Sequence, residues 1–448
     1  MNRQTIPAHA VCALVALTSC ATYRPAPIEP LRVLENLEAI EWESLGANST
    51  ETGSIGPREL SAFAVSTNPQ LAAVRAQLGV RRALLVESGL LPDPELGWDA
   101  MDVLASRIVD GTSSSVDALS GFGLMFPILR PGERGARVGI AEWSAEEARR
   151  QITVAEWTLT RDIHLAFEEV LAAELLLAQT QAVTKLAEAT DDYFKRAKEA
   201  GAATAIQANL AQGELLAIRL EAIRAEARAR EARQAMNALL GLPPSASVAL
   251  SQGEDPSGTG ALQSSTDELT SHAVNSRPDL AALLARYQAS EQEVRLAISK
   301  QYPQLSIGTG ISLTLPIFSE FGRPAIQTAI AKREQLNREF KAAVHTARQE
   351  IAALHTLWLF AGREVELVET ALLPNAEQNL ELSREAFQQG EVTLLETLAL
   401  QRSLVQARTR HTETRAEKSK RAWALLAASG WLLGAENNNQ TNDQEDSQ

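Results

Sequence analysis

The sequence predicts a mainly α-helical chain: two tandem copies of a unit built on a long antiparallel helical hairpin, each copy carrying a small β portion. Three observations carry this. First, the composition is 45% hydrophobic with only 5% aromatic residues and long Ala-rich stretches, which is the usage of extended helices rather than of a β-sandwich or an aromatic-girdled porin. Second, the chain is duplicated: residues 59–73 match residues 268–282 at an offset of 209, with eight identities in fifteen positions. Third, Pro127 and Gly201 stand 74 residues apart, and so do Pro316 and Gly390. At 1.5 Å per residue each stretch can build a rod of roughly 100 Å, and rods of unequal length could not end at one tip.

In chain order, residues 1–19 read as an export signal, with Arg3 ahead of an apolar run that closes on Leu17-Thr18-Ser19-Cys20 in the manner of a bacterial lipobox. Cys20 is then the acylated (palmitate-bearing) N-terminus, and Ala21, in place of an acidic residue, implies sorting to the outer membrane. Cys12 and Cys20 are the only cysteines, which excludes a disulfide scaffold, a CxxC redox site and a thiolate zinc site downstream. Residues 20–55 form a tether, extended where Pro25, Pro27 and Pro30 recur. The first repeat, residues 56–244, opens with a helix, passes a β segment at 92–128 and enters the long hairpin, whose tip is at Gly201. Residues 245–267 are a linker. The second repeat, residues 268–434, keeps this order with a short β segment at 303–318 and a tip at Gly390. Residues 435–448 are polar and acidic, and are expected to be disordered. No stretch reaches the 18 or so apolar residues of a transmembrane helix.

Within the hairpins, helix formers run unbroken from Gly139 to Ala200, and a matching run from Ala325 to Gln389 is interrupted by Gly362 and Pro374, where a bend is expected. Gly201 and Gly390 stand where the helices must reverse, and the return helices stop at Gly241-Leu242-Pro243 and at Gly430. Leu216, Leu220, Ile223 and Ala227 follow a 4-3-4 spacing, a coiled-coil seam. A lone protomer would leave such seams bare, so self-association is expected.

Taken in order, these features resemble a known family. Tyr23-Arg24-Pro25 follows the lipobox. Asn68-Pro69-Gln70-Leu71 and Arg277-Pro278-Asp279-Leu280 open the repeats. Leu91-Pro92 and Tyr302-Pro303-Gln304-Leu305-Ser306 enter the β segments, and Leu124-Met125-Phe126-Pro127-Ile128 and Leu313-Thr314-Leu315-Pro316-Ile317-Phe318 leave them. With a glycine at each tip, the sequence resembles the TolC family of outer-membrane efflux channels, most closely its lipid-anchored branch. The resemblance implies a trimeric α-barrel across the periplasm, topped by a twelve-stranded β-barrel with four strands from each protomer. It implies four partners: two further copies in a homotrimer, a periplasmic adaptor (membrane fusion) protein, an inner-membrane pump reached through it, and outer-membrane lipid. The tips Ala200, Gly201, Ala202, Gln389, Gly390 and Glu391 would meet the adaptor. Glu396 matches an acidic position at the family's pore entrance, where three copies form a ring favouring cations; taken alone, it reads as a solvated helix-face residue. The acid and arginine that latch neighbouring hairpins in the family map to Gln207 and Val392, so that latch is absent.

The β segments depart from the family pattern. Residues 304–315 allow two strands of about five residues, rising roughly 17 Å, against the 9–11 residues of a membrane-crossing strand. In the first segment Leu96, Trp98 and Ala100 alternate, but Asp99, Asp102, Arg107, Asp110 and Asp117 break a lipid-facing pattern. A stunted β cap at the periplasmic face, held by the acyl chains of Cys20, is therefore expected. No catalytic residue, metal ligand or cofactor is expected: His164, His272, His345, His355 and His411 fall in no HExxH pattern, and no GxSxG or Walker loop occurs. The net charge of −14 disfavours nucleic acid. Two functions fit: the outer-membrane duct of an efflux or export system, or a non-conducting, lipid-anchored periplasmic scaffold of the same fold. Hairpins of matched length with glycine tips favour the duct, because an anchor alone would not require them.

Overall fold

A computed structural model of the chain describes residues 23–40, 55–98, 122–251, 256–389 and 391–432. They belong to two units, each taken by itself. The first holds helix α1, Pro30–Glu38, started by a proline whose missing N–H falls where a helix has no partner for it. Leu31 and Leu34 are exposed on it. Residues 23–29, within the stretch read as extended, hold no helix or strand, and the helix begins at Pro30 where that stretch ends.

The second unit shows the duplication directly. In its first half, α2 (Pro57–Thr67) and α3 (Pro69–Ser88) lead to strands β1 (Glu95–Trp98) and β2 (Phe122–Ile128), then to α4 (Glu133–Glu199) and α5 (Ala205–Leu240). Its second half repeats the order: α6 (Thr266–Ser276), α7 (Pro278–Ser299), β3 (Gln304–Gly308), β4 (Ile311–Thr314), α8 (Arg323–Leu367), α9 (Leu373–Gln389) and α10 (Leu394–Ala428). The 67 residues of α4 rise roughly 100 Å, so the strands at its start and the reversal at its end are far apart.

The second rod is not interrupted at Gly362, which lies inside α8. The expected bend is a π-helical turn, Val368–Leu372, joining α8 to α9 just ahead of Pro374. Widening the turn there makes room for the pyrrolidine ring and places its missing donor where the α ladder is already broken.

Each return helix ends against the opening of its own repeat, and the two closures correspond. Asn68 donates from Nδ2 to the Leu239 carbonyl at 2.8 Å while its Oδ1 caps α3. At the matching position Arg277 donates to the Ala428 carbonyl at 3.1 Å, pairs with Asp279 and Glu350, and lies over the Trp157 ring. Gly241 and Gly430 stop the return helices at φ 71° and 80°. A Cβ on Gly241 would sit 2.9 Å from the Thr67 carbonyl oxygen, and one on Gly430 would sit 2.6 Å from Ser276 Oγ. Glycine is needed at both for conformation and for space.

A large core gathers around Trp157, Leu269, Ile351, Trp423 and Leu425, and Leu262 is fully buried in it. Leu262 belongs to a short 3-10 helix, Gly260–Gln263, in the stretch read as a linker, so this part of the linker is packed into the body rather than spanning it.

Candidate functional site

Two places carry chemistry, at opposite ends of α4. At its start, the four strands form one antiparallel sheet in the order β1-β2-β3-β4. Residues paired directly across strands share a face, so the register decides what each face presents. Leu96 pairs with Leu124, Phe126 with Ile307, Ile128 with Leu305, Leu305 with Leu313 and Ile307 with Ile311. One face is therefore built of Leu96, Leu124, Phe126, Ile128, Leu305, Ile307, Ile311 and Leu313, without a polar residue among them. The other carries Glu95, Gly123, Gln304, Ser306, Ser312 and Thr314 beside Met125 and Pro127. The apolar face is largely bare: Leu96 is 71% exposed and Ile311 79%.

Apolar on one side and polar on the other is the pattern of a sheet placed between lipid and a watery interior. The alternation expected from Leu96 is seen in this register. The charged residues on which the expectation of a poor lipid-facing hairpin rested, Asp99, Asp102, Arg107, Asp110 and Asp117, lie outside the described residues. The strands of the second repeat are short, as expected: five residues in β3 and four in β4. Exposed aromatics gather where this sheet meets the helices, Tyr302, Phe318 and Phe321. Phe321 holds a left-handed φ of 54°, an unusual conformation for so large a side chain, and is half exposed. Aromatics at that level mark a membrane–water boundary.

At the far end the two hairpins turn. Ala200 ends α4, Gly201 takes a φ of 73°, and the Ala202 and Ala203 amides both donate to the Ala197 carbonyl, a glycine-terminated stop. Ala200, Gly201 and Ala202 are exposed. Gln389 closes α9 exposed, and the Glu391 amide donates to the Ala386 carbonyl at 2.9 Å. Gly390 and Cys20 lie outside the described residues.

Each return helix starts with a capping box at matching positions. Thr204 and Gln207 cap α5, and Thr393 and Glu396 cap α10. The Glu396 carboxylate accepts from the Thr393 amide at 2.7 Å and from its hydroxyl at 2.8 Å, and these bonds hold its carboxyl below the usual glutamate range. Glu396 thus has a structural task at the helix start, whatever it does in a pore. The signal was legible as Thr-x-x-Gln and Thr-x-x-Glu. The sequence reading missed it because it weighed Glu396 only as a charge. The two tips are held side by side by Phe194, Ala208 and Ala211 packing with Leu394 and Leu398. Farther along, Arg402 of α10 is ion-paired with Glu214 of α5, joining the hairpins. Ile206 and Leu395, which correspond in the two repeats, are 72% and 60% exposed beside the tips.

The histidines form no metal-ligating group among the described residues. His164 is buried, with Nδ1 2.8 Å from the Thr160 carbonyl and its ring against Trp423; burial, helped by the Arg58 charge, pushes its pKa down and keeps it neutral.

Residues 61–242 match the family model described as "Outer membrane efflux protein". The chain is 26% identical over 376 residues to the cobalt-zinc-cadmium resistance protein CzcC of Cupriavidus metallidurans, covering 80% of this chain and 86% of that protein. It is 24% identical over 467 residues to the pyoverdine export outer membrane protein OpmQ of Pseudomonas aeruginosa, covering 94% and 95%. Among solved structures, the Campylobacter jejuni CmeC outer membrane channel superposes with a TM-score of 0.69 at 16% identity, over 96% of this chain and 97% of that one. A likeness at that identity speaks for the fold.

Proposed function

We propose that this chain, a member of the outer membrane efflux protein family, is the outer membrane channel component of a tripartite efflux or export system. It works with an inner-membrane pump and a periplasmic adaptor, and it transports rather than catalyses. The observation that carries this is the sheet face of eight apolar side chains, placed some 100 Å of helix away from the paired hairpin tips. A periplasmic scaffold would have no use for an uncovered apolar sheet face of this kind, which favours the duct.

In this reading three protomers close the sheet into a barrel and the hairpins into a hollow rod. The apolar face meets lipid, and the serines, threonine and glutamine line the way out. The adaptor meets Ala200, Gly201 and Ala202 on one hairpin and Gln389, Gly390 and Glu391 on the other. Glu396 stands one turn into α10, where three carboxylates would favour cations over anions. Its capping bonds keep it ionised to lower pH than a free glutamate, so the preference is present at neutral pH and fades only as the carboxylate is protonated. An acyl chain on Cys20 adds a second membrane attachment, which matters because strands of five and four residues, β3 and β4, are short for a bilayer.

The deciding experiment is single-channel recording of the purified protein in planar bilayers. Discrete conductance is expected, with a cation preference that weakens in Glu396→Gln. An absence of conductance, together with release of Cys20→Ala protein into the soluble periplasmic fraction, would leave only a lipid-held cap.

A further inference from the structure

A groove lies near the sheet end of the helical body. Arg81 and Leu84 of α3, Arg137, Ile140 and Ala141 of α4, and Leu296 of α7 line a cavity of about 310 Å³. Its walls are apolar, and both of its charged residues are arginines. Neither makes an ion pair or a hydrogen bond among the described residues. Elsewhere most α4 and α5 arginines are matched to glutamates, as in Arg149 and Arg150 with Glu146, Arg219 with Glu188, and Arg228 with Glu169.

The second repeat supplies a control. At the offsets that align the copies, Arg81 corresponds to Ser290, Leu84 to Glu293, Arg137 to Ile326 and Ser144 to Arg333. There the helices are stitched by ion pairs, Lys332 to Glu293 at 2.8 Å and Arg333 to Glu291 at 3.3 Å. The first repeat has no carboxylate in the matching place, only two cations over an apolar floor. Two unpaired guanidinium groups beside a greasy slot complement a molecule that is anionic at one end and apolar at the other.

The position of the groove narrows the choice. It lies within the last two turns of α3 and the first three of α4, immediately below the level of Tyr302, Phe318 and Phe321. Further cations without a carboxylate partner among the described residues, Arg82 on α3, Lys300 just after α7 and Arg323 at the start of α8, stand toward the strand-side ends of their helices. If the sheet spans the membrane, this is the depth of the periplasmic-leaflet headgroups.

We propose that the groove is a binding site for an anionic phospholipid of that leaflet, its phosphate held by Arg81 and Arg137 and one acyl chain lying over Leu84, Ile140 and Leu296. The proposal rests on the outer-membrane reading above and adds a specific lipid site to it.

The test is native mass spectrometry of the full-length protein in mild detergent, titrated with palmitoyl-oleoyl phosphatidylglycerol and with the matching phosphatidylcholine. The wild type is expected to retain phosphatidylglycerol at least tenfold better. Arg81→Gln/Arg137→Gln should abolish the preference, and Ala141→Trp, which fills the floor, should lower binding of both lipids. Light scattering checks that each variant assembles as the wild type does. Equal retention of both lipids by the wild type, or an unchanged preference in the arginine variant, would overturn the proposal. So would displacement of phosphatidylglycerol by inorganic phosphate alone, which indicates a free-anion site, or efficient cross-linking between copies through cysteines placed at Ser88 and Ser144, which indicates a second copy filling the groove. Conductance is read separately in the same preparations: its retention with no lipid preference removes this site alone, and its absence in the wild type removes the channel reading beneath it.

Discussion

Gly241 and Gly430 are single residues on which the closure of each repeat depends. Both are left-handed, and a methyl group on either would strike the strand of backbone or side chain it seals against. A left-handed non-glycine residue costs about 1–2 kcal/mol before any clash, so Gly241→Ala and Gly430→Ala should each lower the unfolding temperature. Gly201, equally left-handed but with nothing within 4 Å of its Cβ position, should be milder in the same assay. His164 gives the residue scale a pH dependence. Because burial lowers its pKa, the unfolded chain takes up a proton near the ordinary 6.5 while the folded chain does not. Stability should therefore fall as pH drops below about that value. Thermal melts from pH 7.5 to 5.5 should show a shallower decline for His164→Phe than for the wild type; parallel curves would show that the buried ring is not the titrating group. Glu169 acts lower. Burial raises its pKa, but the bonds and charges of Lys420 and Arg228 outweigh this and bring it below 4.5, so its contribution is lost only in more acidic solution.

At the scale of elements, α5 has two apolar stripes with different partners. Ala208, Ala211, Leu215, Ala229, Ala232 and Met236 are buried within the protomer. Leu216, Leu220 and Ile223, the seam read from the 4-3-4 spacing, are 57%, 48% and 64% exposed. The spacing marks an apolar stripe, but the pattern alone does not say which of two stripes faces the chain's own core. Since the exposed stripe is outside the protomer's packing, Leu216→Glu/Ile223→Glu should leave helical circular dichroism intact while abolishing assembly into the proposed trimer. Light scattering showing an unaltered oligomer would mean the seam is not an interface. The first and second rods also differ where the sequence looks alike in length: the π-helical turn Val368–Leu372 adds a widened turn to the second only. That turn lets the proline-bearing rod keep pace with its partner, because the helix absorbs Pro374 locally instead of kinking over its length.

For the whole molecule, the sequence by itself determined the order of elements, the duplication, the helix stops at Gly201, Gly241 and Gly430, and the shortness of β3 and β4. These are local matters, set by backbone freedom at glycine, by helix-former runs and by residue counts, and they can be read without knowing what lies opposite. Tertiary structure alone decided three further things. The sheet register gathered Leu96, Leu124, Phe126, Ile128, Leu305, Ile307, Ile311 and Leu313 onto one face from segments up to 217 residues apart, whereas no single strand is long enough to announce a lipid-facing side. Packing drew Leu262 out of an apparent linker into the core, since burial depends on which neighbours arrive and not on the composition of the segment. Among the described residues, the first repeat was left with Arg81 and Arg137 unpaired over an apolar groove while the second repeat paired its charges there, because whether a cation finds a carboxylate is settled between helices that are distant in sequence and adjacent only in the fold.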